Sequence, residues 1–273
     1  MLKQRVITAL ILAPLLVAAV LLLPTGYLAV VLGLAVAIGG REWAKLSGID
    51  NHSIQLVYAF FLLICLAGVY FFLPETWLPG VMAASVAWWL YALFRLTRYQ
   101  TGQDSPVSTP IRALQGLIVL VPAWLALISI HRIISTGPGL LLFVLILIWS
   151  ADVGAYFAGH RWGKHKLAPQ VSPGKTREGV YGATAAALLC GLFLAGWLDV
   201  AMTQLPLILF LCLVTMLFSV VGDLFESLLK RQRGLKDSGT LLPGHGGMLD
   251  RIDSLTAAAP VFLFGLILLG IRS

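Results

Sequence analysis

Acids, bases and glycines crowd into one stretch near the C-terminal end of the chain. It reads Lys230-Arg231-Gln-Arg-Gly-Leu-Lys236-Asp237-Ser-Gly-Thr-Leu-Leu-Pro243-Gly-His245-Gly246-Gly247-Met-Leu-Asp250-Arg251-Ile-Asp253, and Asp223, Glu226 and Ser227 stand just ahead of it. On a helix that continues into this stretch, Asp223, Glu226, Ser227 and Lys230 fall at i, i+3, i+4 and i+7, on one face. Asp250 and Asp253 repeat the i, i+3 spacing immediately before another apolar run. Two helix ends would thus bring four carboxylates towards one place. Hard oxygen ligands beside lysine and arginine suit Mg²⁺ and a phosphate substrate, because Mg²⁺ takes one or two carboxylates and completes its shell with phosphate oxygens and water. The Pro243-Gly-His245-Gly246-Gly247 turn between them exposes amides that can approach a phosphate closely.

A second polar segment, 159–179, reads GHRWGKHKLAPQVSPGKTREG. Its Ser172-Pro-Gly-Lys175-Thr176 invites comparison with a P-loop, but that pattern requires glycine where Pro169 stands, and no apolar strand leads into it. What remains is a basic, glycine-containing loop with Lys164, Lys166, Lys175 and Arg177, suited to triphosphate contact, with Glu178 beside them. His160 and His165 are five residues apart, which fits no zinc spacing, and they read as solvated side chains. There is no nucleophile elbow, Ser/His/Asp order or HExxH, which argues against hydrolase chemistry.

These residues need something to hold them, and the rest of the chain is oil. Hydrophobic residues make up 59%, charged residues 11%, and mean hydropathy is +0.92, whereas soluble domains are about one quarter charged. Helical spans of about 20 residues cross a bilayer core, and nine runs qualify or come close: 6–23, 27–40, 55–73, 78–94, 113–130, 139–158, 180–197, 205–222 and 255–271. The expectation is an all-α, polytopic integral membrane protein with about nine transmembrane helices. The first run is longer than a signal-peptide core and lacks a clear cleavage site, so it reads as an uncleaved span. Five spans occupy 1–138, and four spans with both polar segments occupy 139–273.

With the N-terminus cytoplasmic, 17 of the 19 lysines and arginines fall on the inside, and only Arg132 and Arg272 fall outside. The net charge of +7 therefore belongs to one membrane face. It would attract anionic headgroups and nucleotides, and does not signal nucleic-acid binding. Asp152, inside the sixth span, and Asp223, at the end of the eighth, are functional candidates because an ionised carboxylate at membrane depth costs several kcal/mol unless paired, hydrated or metal-bound. Cys65, Cys190 and Cys212 lie within apolar spans and read as small core residues.

The run of 27 positions from Ser227 to Asp253 resembles, without departure, the signature of the phosphatidate cytidylyltransferase (CDP-diacylglycerol synthase) family. The segments Asp152-Val-Gly-Ala-Tyr-Phe-Ala-Gly and Ser172-Pro-Gly-Lys175-Thr176-Arg-Glu178-Gly are similar to further motifs of that family, and Arg41-Glu42-Trp43-Ala and Lys3-Gln-Arg5-Val-Ile-Thr match more loosely. The resemblance implies a multi-pass enzyme of the cell inner membrane. It would join CTP to phosphatidic acid, giving CDP-diacylglycerol and pyrophosphate with Mg²⁺, and it implies weakly a homodimer. On this reading Asp223, Asp250 and Asp253 hold the metal, with Asp237 in support. Lys230, Arg231, Lys236, Lys175 and Arg251 contact phosphates, and His245 orients a phosphate or protonates the leaving pyrophosphate. Ser172, Thr176, Glu178, Ser227, Gly246 and Gly247 meet the nucleotide or headgroup, and Asp152 keeps the motif-bearing spans in register. Two other readings stay open on the residues alone: a CTP-dependent lipid kinase or other headgroup transferase, and a transporter with Asp152 and Asp223 on its pathway. The second is disfavoured by the concentration of polar residues on one face and the lack of paired broken helices.

Overall fold

The computed structural model describes residues 2–99, 108–241 and 246–271. The described residues form nine helices and one small hairpin: α1 (Leu2–Leu22), α2 (Thr25–Leu46), α3 (His52–Phe72), α4 (Leu78–Arg98), α5 (Thr109–His131), α6 (Gly137–Trp162), β1 (Lys166–Ala168), β2 (Ser172–Thr176), α7 (Arg177–Trp197), α8 (Leu205–Gln232) and α9 (Leu249–Leu268). A single 3₁₀ turn, Glu75–Trp77, precedes α4. Eight of the helices are long and apolar enough to cross a membrane, and the apolar part of α1, Leu10–Leu22, is shorter. The chain is a nearly all-helical, multi-pass membrane protein.

Proline occupies the first turn of α4, α5, α6 and α8, where its missing N–H costs nothing and its fixed φ suits the helix. Asn51 caps α3 by accepting from the Ser53 and Ile54 amides. α8 ends in a Schellman turn at Gly234, φ 65°, with the Leu235 amide donating to the Lys230 carbonyl at 2.9 Å. That turn sends the chain back across the end of the bundle.

Three expectations are refined. The segment 159–179 is not all loop: β1 and β2 pair antiparallel, Lys166 opposite Thr176 and Ala168 opposite Ser172. A three-residue strand is too short to show alternation, so composition did not reveal it. The eighth helix runs ten residues beyond its apolar core, to Gln232, carrying Asp223, Glu226, Ser227 and Lys230 on one continuous helix. The second helix does not stop at Gly40 but continues through Arg41, Glu42 and Trp43 to Leu46. The Gly39-Gly40 pair there serves packing. A Cβ at Gly39 would press on Ile252 of α9, and one at Gly40 would run into Leu62 of α3.

In lipid the apolar faces gain nothing by leaving water, so helices associate where small residues let backbones touch and polar groups bond across. α6 lies most extensively against α7, and α8 against α9. A Cβ at Gly154 would lie 2.6 Å from the Gly182 carbonyl oxygen, and one at Gly222 would lie 2.5 Å from the Asp253 carbonyl oxygen. The second contact sets Asp223 beside the first turns of α9. Three buried indoles bond across helices, Trp43 to the Arg112 carbonyl, Trp89 to that of Thr256 and Trp124 to that of Ala29. All three cysteines are free, Cys212 buried and the others half-buried. Gly182→Val is expected to wedge α7 off α6. Overpacking of this kind costs about 1–3 kcal/mol, which thermal unfolding of the detergent-solubilised protein would register as a lower Tm.

Candidate active site

Two connected groups of charged side chains lie where α8, α9 and the β2–α7 junction meet. In the first, Lys175 Nζ sits 2.6 Å from Asp223 Oδ2, and the Ser227 hydroxyl donates to Asp223 Oδ1 at 3.2 Å. Both members of the ion pair remain partly exposed, with side chains 25% and 32% accessible. In the second, Lys230 Nζ reaches Asp250 Oδ1 at 2.6 Å and Glu226 Oε2 at 2.9 Å. Asp250 Oδ2 accepts from the Ser238 amide, the Ser238 hydroxyl and the Gly247 amide at 2.8–2.9 Å. Asp250 is thus the joint between α8, the returning chain at Ser238 and the start of α9. At Gly246, φ 85°, a side chain would be strained and would strike the Asp250 carboxylate.

A residue from the N-terminal half completes the joint. Glu42, 8% exposed, accepts from the amides of Met248 at 3.0 Å and Leu249 at 2.7 Å and from the Ser238 hydroxyl at 3.1 Å. Those amides open α9, where unpaired N–H groups and the helix dipole favour a carboxylate. Gly239 and Gly247 leave the room: a Cβ at either would collide with Glu42. Neither Glu42 nor Ser238 was among the expected site residues. The signal was available for Glu42, an acid at the end of an apolar run, but ending the span at Gly40 placed it outside.

A cavity of about 400 Å³ opens beside the first group, walled by α6, α7, α8 and the hairpin. Asp152, Tyr156, His160, Lys175, Thr176 and Asp223 line it, and Asp152 lies within electrostatic reach of Lys175, Asp223 and Arg251. His160 stacks on Tyr156, ring centroids 5.8 Å apart.

Some expected site residues stand apart from this centre. The Thr176 hydroxyl caps α7 by accepting from the Gly179 amide at 3.1 Å. Glu178 faces His165, accepting from its amide and lying 2.7 Å from its Nδ1. Arg231 Nε donates to the Val171 carbonyl at 3.2 Å, tying α8 to the hairpin. Ser172 is half-buried, while Lys236, Asp237 and Arg251 are exposed. His245 lies outside the described residues.

The donor chemistry bears on a divalent cation. Glu226 is 2% exposed and its Oε1 has no hydrogen-bond partner, while Asp253 lies next to both Glu226 and Asp223. Lys230 meets Glu226 only at Oε2, so the unpaired Oε1 and the neighbouring acids leave a place for further positive charge, and all are hard ligands of the kind Mg²⁺ accepts. No three His, Cys, Asp or Glu side chains among the described residues form a ready-made cage. An ion here would take one or two carboxylates and complete its shell from phosphate and water.

The description of the cytidylyltransferase family matches residues 3–269. The chain is 42% identical over 263 residues to a protein of Pseudomonas aeruginosa named phosphatidate cytidylyltransferase, with 96% of each chain covered. A protein of that name from Haemophilus influenzae is 37% identical over 287 residues, covering 97% of this chain and 98% of its own. One from Brucella suis is 35% identical over 236 residues, covering 83% and 79%. The family match runs through α2 and α9 alike, so the joint built by Glu42, Ser238 and Asp250 lies wholly within it, and the chain belongs to the cytidylyltransferase family.

Proposed function

We propose that this protein is a phosphatidate cytidylyltransferase, transferring CMP from CTP to phosphatidic acid to give CDP-diacylglycerol and pyrophosphate for phospholipid synthesis. The observation that carries the reading is a lysine-rich, carboxylate-rich centre, Lys175–Asp223 beside Lys230–Asp250, set at the ends of membrane helices next to a polar cavity. A soluble triphosphate and a lipid headgroup can meet there. The distribution of lysine and arginine supports placing that face in the cytoplasm, with the protein in the cytoplasmic membrane.

The lipid phosphate is already an anionic nucleophile, so no base has to generate one. One of its oxygens attacks the α-phosphorus of CTP, the bond from that phosphorus to the bridging oxygen breaks, and the electron pair leaves with pyrophosphate. The protein's task is to bring two anions together and stabilise the charge that builds on the α-phosphate and leaving group. Lys175 and Lys230 are each held by carboxylates before substrate arrives, which fixes their position at little further loss of side-chain freedom. Arg251, exposed in the first turn of α9, would meet the lipid phosphate. Asp223, Asp250 and Asp253, with Glu226 beside them, would hold Mg²⁺, which when bound neutralises phosphate charge and polarises the P–O bond.

The test uses purified protein in phosphatidic-acid micelles with Mg²⁺ and CTP labelled at the α-phosphate. Label entering the lipid, matched by pyrophosphate release and abolished by chelation of divalent ions, is the expected result. Label recovered in CDP would mean a kinase, and label left in CTP while substrate crosses sealed vesicles would mean a transporter. Lys175→Met, which removes a cation from the polar cavity without adding bulk, is expected to lower turnover on the order of 10²-fold. Lys175→Arg should restore part of it, as read in the same assay.

A further inference from the structure

A second cavity, about 530 Å³, lies on the other side of α6 and α9 from the polar one, among α1, α2, α5, α6 and α9. Its volume falls within the roughly 300–1,000 Å³ of ligand pockets. Its walls are almost wholly apolar, and several of them, Val36, Leu120, Leu141 and Leu145, are buried side chains of the bundle interior. Leu15, Val31 and Trp149 on the same walls are exposed, so the cavity is a recess that opens at the perimeter and runs in between the helices.

Its one charged lining residue is Arg251. Met248, the N-cap of α9, and Arg251, Ile252 and Leu255 within the helix occupy i, i+3, i+4 and i+7, so one face of that helix lines the recess with the guanidinium near its N-terminal end. α6 is the partition: Trp149 faces the apolar recess, while Ala151 and Asp152 face the polar one. An apolar slot with a cation at one end, adjoining a cavity suited to a nucleotide, has the polarity of a lipid whose headgroup is an anion.

We infer that this recess binds an acyl chain of the phosphatidate substrate, with Arg251 at the phosphate end, so that the two substrates approach from opposite sides of α6. The inference rests on the function proposed above. It adds that acyl-chain recognition is a task of the N-terminal helices α1 and α2, through residues such as Leu16, Ala19 and Ala35, which lie outside the charged centre.

Ala35→Trp fills the recess, and Leu34→Trp, on the exposed face of the same helix, serves as its control. The expected result is a KM for dioleoyl phosphatidate raised about tenfold in Ala35→Trp, with the KM for CTP and turnover on water-soluble dihexanoyl phosphatidate changed less than about twofold. The control should match the unmodified protein. A KM for the long-chain lipid equal to the control's overturns the acyl site while leaving the cytidylyltransferase reading intact. Absence of CDP-diacylglycerol from either lipid with the unmodified protein overturns that reading itself. Should Ala35→Trp not fold, the unmodified protein is photolabelled with a phosphatidate bearing a mid-chain diazirine. Adducts on α1, α2 or α5 that excess phosphatidate displaces and phosphatidylcholine does not are expected. Adducts confined to α7, or equally displaced by both lipids, overturn the assignment.

Discussion

Asp250→Asn is expected to lower CMP transfer to lipid by about 10²–10³-fold, a loss of the size seen when one preorganised electrostatic group is removed from an active site. The substitution is nearly isosteric, so the reason lies in donors and acceptors. Asp250 Oδ1 accepts from the Lys230 ammonium, and Oδ2 accepts from two amides and a hydroxyl. A carboxylate accepts at both oxygens, whereas a carboxamide must present an NH₂ at one of them. Turned one way, that NH₂ faces the lysine cation; turned the other, it faces three donors. Either choice leaves Lys230 beside Glu226 alone or frees the chain at Ser238 and Gly247. Asp250→Asn should therefore also unfold at lower temperature, because breaking one side of a buried ion pair costs about 3–5 kcal/mol. Full activity in the α-labelled CTP assay would show that Asp250 does not belong to the machinery.

Glu42→Gln, remote in sequence from every motif residue at the C-terminal end, is expected to damage both stability and turnover. Its two oxygens take the Met248 and Leu249 amides and share the Ser238 hydroxyl proton with Asp250, and a glutamine amide would again set N–H against N–H. Each buried group left unsatisfied costs about 1–3 kcal/mol, and the negative charge that faces the start of α9 is lost as well. Since Asp250 lies in the first turn of α9, loosening that turn should displace the carboxylate that holds Lys230. The expected outcome is a lower Tm together with a fall in turnover on the order of 10-fold or more. Leu34→Trp, on the lipid-facing side of the same helix, should alter neither. A Glu42→Gln enzyme of normal stability and turnover would remove Glu42 from the joint.

The helical architecture was legible because apolar runs of membrane length announce themselves, and the placement of Lys230 with Glu226 followed from helical spacing alone. The pairing of Asp250 with Lys230 was expected only as a convergence of two helix ends, because spacing within a helix says nothing of how two helices meet. That meeting is set by Gly222 against the Asp253 backbone, a contact that a lone glycine in an apolar run does not disclose. The roles of Thr176 and Glu178 could not be separated from substrate contact in the sequence. A threonine before a helix reads equally as a cap or a ligand, and the small hairpin that turns Glu178 towards His165 leaves no periodic trace. Glu42 fell outside the apolar run that ends at Gly40, because Gly39 and Gly40, which make room for neighbouring helices, do not end the helix.

The reach of Glu42 to Met248, 206 residues further along the chain, has a consequence for biogenesis. The carboxylate enters the membrane with α2, but its amide partners, Met248 and Leu249, are synthesised only at the start of α9. Throughout most of translation the nascent bundle carries an acid at its edge with no amides to receive it, and the joint closes only when α9 docks. A ribosome stalled before residue 248 would leave a chain that has inserted most of its helices yet cannot close its reactive centre. Assembly of the competent enzyme is in this way withheld until α9 arrives.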